Sequence, residues 1–105
     1  MEENKVNDIS YFGFPLLVHT NPQFTRNDLT KYLEENRIGT RNVFSGNILR
    51  HPAYSNSKNK YRVVGKQKNA DTIMNSAFWL GVWPGITKEH ITYMKKTIQT
   101  FLQQK

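Results

Sequence analysis

The sequence predicts an α+β fold, a small and mostly antiparallel sheet covered by helices, and three observations predict it. Apolar residues alternate from Phe12 through Phe14 and Leu16 to Val18, the two-residue period of a strand with one buried face. Towards the other end Ile91, Met94, Ile98, Phe101 and Leu102 recur at three- and four-residue spacing, the period of a helix with one apolar side. Between them, strand-like and helix-like stretches follow the order β-α-β-loop-β-α-β-α without a regular βαβ repeat, the pattern of a sheet layer under a helix layer.

The elements follow in order. Met1 to Ser10 is polar and is expected to be a mobile lead-in to a single domain spanning residues 11–105. Pro15 cannot donate to a sheet ladder, so the first strand is expected at a sheet edge or with that position turned outward. Asn21 and Pro22 end it. Thr25 is placed to cap the first helix, with Asp28 near the positive end of its dipole and Leu29, Tyr32 and Leu33 on one side. Asn36, rather than Arg37, is the expected left-handed stop. A short extended run follows from Thr40 to Phe44.

After Tyr54 the segment from Ser55 to Lys60 has the composition of an exposed loop. Tyr61 to Val64 reads as a short strand ended by Gly65. Asn69 is expected to cap a brief helix carrying Ile73, Met74 and Ala77, and Phe78 to Val82 returns to strand character. Pro84 and Gly85 form a turn, and Thr87 caps the last helix with Glu89 in its first turn.

Composition limits what such a fold can do. At 105 residues with 37% hydrophobic content the core is lean, although 12% aromatics offset this because each ring buries a large area. The result is a small folded unit that leans on a neighbour. Fifteen Lys and Arg against eight Asp and Glu give +7, which favours anionic partners. The one dense basic run is Lys58, Lys60, Arg62, Lys66 and Lys68, whereas Lys95, Lys96 and Lys105 read as a solvated helix face. No stacking platform or groove-reading helix accompanies the run, which argues against nucleic acid. The absence of cysteine excludes disulfides and thiolate metal sites within this chain. Nothing approaches a membrane-spanning run and the amino end is too polar for a signal peptide, so the expected location is cytoplasmic, with no membrane partner.

The stretch from Ile38 to Tyr54 has the composition of a ligand-facing segment. Arg41, Asn47, Arg50, His51 and Ser45 lie among Phe44, Ile48, Leu49 and Tyr54, punctuated by Gly39, Gly46 and Pro52. Arginine offers a planar fork for phosphate or carboxylate oxygens, and asparagine offers a donor and an acceptor together. The same composition also suits an ordinary polar connection between packed elements. Complete catalytic constellations are missing. His19, His51 and His90 lack the spacing of a metal site, and Ser45 lacks the elbow of a serine nucleophile. Glu34 and Glu35 fall on different helix faces and read as solvent-facing groups, not as an acid/base pair.

Five stretches together resemble a known family: YFGFP at Tyr11 to Pro15, IGTRNVFSGNILRHP at Ile38 to Pro52, YRVVG at Tyr61 to Gly65, NADTIMN at Asn69 to Asn75 and FWLGVWPGIT at Phe78 to Thr87. In that order they are similar to the carboxyl-terminal part of sugar-nucleotide 3-dehydratases of the CDP-4-keto-6-deoxyglucose type, in the DegT/DnrJ/EryC1/StrS aminotransferase group. The resemblance implies the carboxyl-terminal small domain of a fold-type-I enzyme that uses pyridoxal or pyridoxamine phosphate (PLP or PMP). It also implies a nucleotide-sugar substrate and a product on the way to the 3,6-dideoxyhexoses of lipopolysaccharide O-antigen. A sugar-nucleotide aminotransferase of the same group and a stand-alone basic anion-binding module are the alternatives.

By the same resemblance, the cofactor domain would precede this one and supply the active-site histidine that replaces the usual cofactor-binding lysine. It would also supply the aspartate on the pyridine nitrogen and the cysteines of any 2Fe-2S iron–sulfur cluster. A reductase and a second copy of the enzyme are implied partners, and the 105 residues alone are expected to be inactive. Position by position, Arg41, Asn47, Arg50 and His51 would face the substrate and Phe12 would lie beside the cofactor, with plain sheet core as the competing place for Phe12. Tyr11 and His51 stand where near relatives tend to carry Trp and Gln, which leaves the sugar and nucleotide open. Trp79 and Trp83 read as packing and interface residues. Phe12, Phe14, Phe44, Trp79 and Trp83 would form an exposed apolar patch without the larger domain, so the isolated chain is expected to self-associate or to swap its first strand.

Overall fold

A computed structural model describes residues 8–56 and 60–105. Its elements are β1 (Gly13–Leu17), α1 (Arg26–Glu35), β2 (Thr40–Asn42), a 3-10 turn (Ile48–Arg50), α2 (Pro52–Ser55), α3 (Lys68–Ser76), β3 (Ala77–Gly81) and α4 (Lys88–Gln103). The expected α+β class is the one found. Residues 1–7 of the expected lead-in, and Lys58 of the basic run, lie outside the described residues; Lys60, Arg62, Lys66 and Lys68 are exposed.

The strands form one antiparallel sheet in the order β1-β3-β2. Val18 N–H donates to Ser76 O at 2.9 Å, which sets the alternation along β1: Phe14 and Leu16 turn their backbone groups towards β3, and Gly13, Pro15 and Leu17 turn theirs outward. Pro15 therefore sits on an edge strand with its missing donor on the free rim, as anticipated, and that rim is a poorer template for further pairing. The same alternation on β3 points the Trp79 backbone at Arg41 and leaves Thr40 and Asn42 facing out from β2.

Residues paired across strands share a face. Phe78 and Leu80, with Leu16 opposite, face the helices, where they meet Leu29 and Leu33 of α1, Ile38 after it and Phe101 of α4. Phe78 and Leu33 are fully buried, and each such side chain contributes about 1.5–3 kcal/mol of transfer free energy. Phe24 and Tyr32 pack on Phe101 at ring-centre distances of 5.1 and 5.2 Å. Thr97 is buried within α4, and its hydroxyl is satisfied by donating to Tyr93 O at 2.8 Å.

Caps explain where the helices start. Thr25 and Asp28 exchange a reciprocal capping box, and the hydrogen bonds from Thr25 N–H and then its hydroxyl hold the Asp28 carboxyl below the ordinary carboxylate range. Thr87 caps α4 in the same way, with His90 in the place of the usual acid: its Nδ1 accepts from Thr87 N–H at 3.1 Å.

Four expectations need correction. Tyr61 to Val64 forms no strand; Val63 and Val64 are exposed, and β-branched composition makes a strand only where a partner edge is in reach. Arg37, at φ 62°, takes the left-handed position after α1, while Asn36 stays at φ −93° and its side chain donates back to Tyr32 O. Gln67, not Asn69, precedes α3, without a side-chain cap, and Ala77 already belongs to β3. Phe12 leaves the sheet core altogether: it is 73% exposed and its ring lies against Trp79, on the face away from the helices. No helix among the described residues is long and apolar enough to cross a membrane.

Candidate functional site

The sheet face away from the helices carries Trp79 at its centre, flanked across the strands by Pro15 and Arg41. Phe12 meets Trp79 edge-on at 6.2 Å, Phe44 lies 6.4 Å from Trp79, and the two phenyl rings are 5.8 Å apart. Gly13 makes this wall possible, because a Cβ there would come within 2.7 Å of the indole. The rings and Arg41 border an open cleft of about 470 Å³.

One polar group beneath this wall and one beside it lack partners among the described residues. Trp79 Nε1 is buried and finds no acceptor among the described residues, a deficit that costs about 1–3 kcal/mol when a donor is left unpaired. The Arg41 guanidinium is exposed, and the one ion pair among the described residues involves other groups. A cation free beside aromatic faces suits an anionic group attached to a planar or apolar body.

Asn47, Arg50 and His51 occupy a second centre. Arg50 donates through Nε to Asp71 Oδ1 at 3.1 Å and through Nη2 to Oδ2 at 3.0 Å. Asn47, 3% exposed, donates to the same Oδ1 at 2.8 Å and accepts from Leu49 N–H at 3.1 Å. His51 Nε2–H donates to Ser45 O at 2.6 Å, since a carbonyl can only accept. These contacts tie the polar loop to itself and to α3. The hydrogen bonds from Arg50 and then Asn47 hold the Asp71 carboxyl below the ordinary range, and the same contact raises Arg50 further.

The loop turns back on Ser45 and Gly46, both left-handed at φ 61° and 56°. Gly46 also lies against α3, where a Cβ would stand 2.5 Å from Met74 Cβ. Asp71, which organises this centre, was not singled out from the sequence; its partners lie 21 and 24 residues away, beyond any local periodicity. Of the expected site residues, the fold thus brings Arg41 to Phe12 and brings Asn47, Arg50 and His51 into the loop latch. Among the described residues no group of three or more His, Cys, Asp or Glu is placed to hold a metal ion.

Fold and cleft together define an α+β domain that presents the Arg41 guanidinium, without an ion-pair partner among the described residues, beside an aromatic wall. A model of the DegT/DnrJ/EryC1/StrS aminotransferase family matches residues 1–99, and the chain belongs to that family. It is 43% identical over 100 residues to the lipopolysaccharide biosynthesis protein RfbH of Salmonella typhimurium, covering 95% of this chain and 22% of that protein. It is 41% identical over 96 residues to the dTDP-4-dehydro-2,6-dideoxy-D-glucose 3-dehydratase of Saccharopolyspora spinosa, covering 91% of this chain and 20% of that enzyme. The chain therefore spans about a fifth of the length of these relatives.

Proposed function

We propose that this chain is the carboxyl-terminal small domain of a PLP- or PMP-dependent sugar-nucleotide 3-dehydratase serving 3,6-dideoxyhexose and O-antigen synthesis, inactive by itself. The observation that carries the reading is the 41% identity, along nearly the whole chain, to a protein named as a 3-dehydratase of a nucleotide-linked deoxysugar.

On this reading Arg41 takes phosphate or sugar oxygens of the substrate, because its guanidinium has no ion-pair partner among the described residues. Arg50 spends Nε and Nη2 on Asp71 and keeps Nη1 for the substrate, its side chain being 63% exposed. Asn47 and His51 serve the substrate by holding that loop in shape.

The cleft residues fit a pyridine cofactor as one wall. Phe12 and Phe44 offer apolar faces, and among the described residues no lysine or histidine borders the cleft. When bound in the parent enzyme, the cofactor supplies the electron sink for loss of the C3 hydroxyl. An iron–sulfur cluster does not fit the residues present, since the chain has no cysteine; any cluster, and a reductase serving it, belongs to the rest of the parent.

A second reading, a sugar-nucleotide aminotransferase, rests on the description of the family itself. The coding sequence upstream of Met1 separates the two. An uninterrupted frame carrying a histidine at the cofactor-binding position is the expected result. A lysine there moves the assignment to the aminotransferase, and a stop codon directly upstream overturns both.

A further inference from the structure

Arg41 owes its place to a short strand on the free edge of the sheet, and that edge is held from outside. Its own backbone is paired with Trp79. Thr40, the residue before it, faces away from β3, so its N–H has no ladder partner. The carboxylate of Glu34, near the end of α1, supplies one: Oε1 accepts from Thr40 N–H at 2.5 Å and from Thr40 Oγ1 at 2.9 Å. This clip spans the turn through the left-handed Arg37, which Ile38 N–H also closes by donating to Leu33 O at 2.9 Å. Glu34 borders the same cleft as Arg41 yet forms no ion pair with it.

We propose that Glu34 is the positioning residue for Arg41: by clamping Thr40 it fixes the three-residue strand β2 and aims the guanidinium at the cleft, while its own charge is engaged at the strand edge. The proposal rests on the reading of Arg41 as the anion contact. A three-residue edge strand has few bonds of its own, so one charge-assisted clamp next to the functional side chain has leverage over its direction.

The test uses the 105-residue chain, inorganic pyrophosphate as probe, and amide exchange read residue by residue. Glu34→Ala is expected to lower protection of the Thr40 amide by about tenfold or more and to weaken pyrophosphate binding by about three- to tenfold. Glu34→Gln keeps the acceptor without the charge and is expected to retain the protection and bind pyrophosphate at least as tightly. Should Glu34→Ala unfold the chain, Glu34→Gln and Thr40→Val, which removes only the hydroxyl donor, still report on the clamp. Unchanged Thr40 protection in every variant overturns the proposal, as does lost protection with unchanged pyrophosphate affinity. Pyrophosphate that ignores the wild-type chain, or binds Arg41→Ala equally well, overturns the Arg41 reading itself and the proposal with it, while the exchange data show separately whether the clamp exists.

Discussion

Arg50 grips both carboxylate oxygens of Asp71, and Asn47 adds a third bond to the same group. A carboxylate so held is lowered in the folded chain relative to the unfolded one. Its contribution is therefore complete above the ordinary aspartate value and is lost as pH falls through the lowered one. The expected outcome is that loop 44–51 stays pinned at neutral pH and loosens only in acid, below the ordinary aspartate range. Asp71→Asn should show at neutral pH the loop mobility that the wild type shows in acid, and nuclear magnetic resonance of the loop amides across that titration checks both.

Gly46 answers two demands at once, a left-handed backbone and a close approach to Met74. Gly46→Ala meets both penalties, about 1–2 kcal/mol for the backbone and about 1–3 kcal/mol for displacing α3. A loss of about 2–5 kcal/mol in urea unfolding is expected, while Gly39→Ala, where a Cβ meets nothing within 4 Å, should cost far less.

His90 closes the cap of α4 with a ring nitrogen where a carboxylate ordinarily serves. Glu at this position would accept from the same Thr87 N–H and add a negative charge beside the positive end of the helix. His90→Glu should stabilise the chain by about 0.5 kcal/mol and raise Tm by about 2–4 °C. A fall in Tm would show that the imidazole does more than cap.

Local chemistry made much of this fold readable and left the site half hidden. Thr25 with Asp28, and Thr87 before the apolar spacing of α4, announce helix starts because the bonds involved are three residues long. Pro15 announced an edge because its defect is intrinsic to the residue. By contrast, the reading of Tyr61 to Val64 as a strand failed because a strand needs a partner that composition does not report. Arg41 stands out by composition and by likeness to a family and Phe12 by likeness alone, and their meeting over Trp79 depends on sheet register. Asp71 goes unnoticed in the sequence, and Glu34 reads there as a solvent-facing group, for a related reason: an acid in a helix has the same local signature whether it faces water or clamps a loop.

Apolar surface remains on both sides of the sheet, and only one side has the makings of a ligand site. Opposite the Arg41 cleft, a groove of about 520 Å³ runs between β1 and α4, bordered by Phe14, Trp83 and Ile91, which are 55%, 66% and 48% exposed. Among the described residues its one charged neighbour is Lys95. Trp79, expected in a single patch with Phe14 and Trp83, instead lies under Phe12 and Phe44 on the other face. Uncovered aromatic area of this kind drives association. The isolated chain should therefore self-associate through the groove, and Trp83→Glu should weaken association by about tenfold or more, ~1.4 kcal/mol. Phe12→Ser, on the opposite face, should leave it nearly unchanged. Sedimentation over a range of concentrations decides the matter: a monomer throughout, or equal sensitivity to both substitutions, would remove the groove as the contact surface.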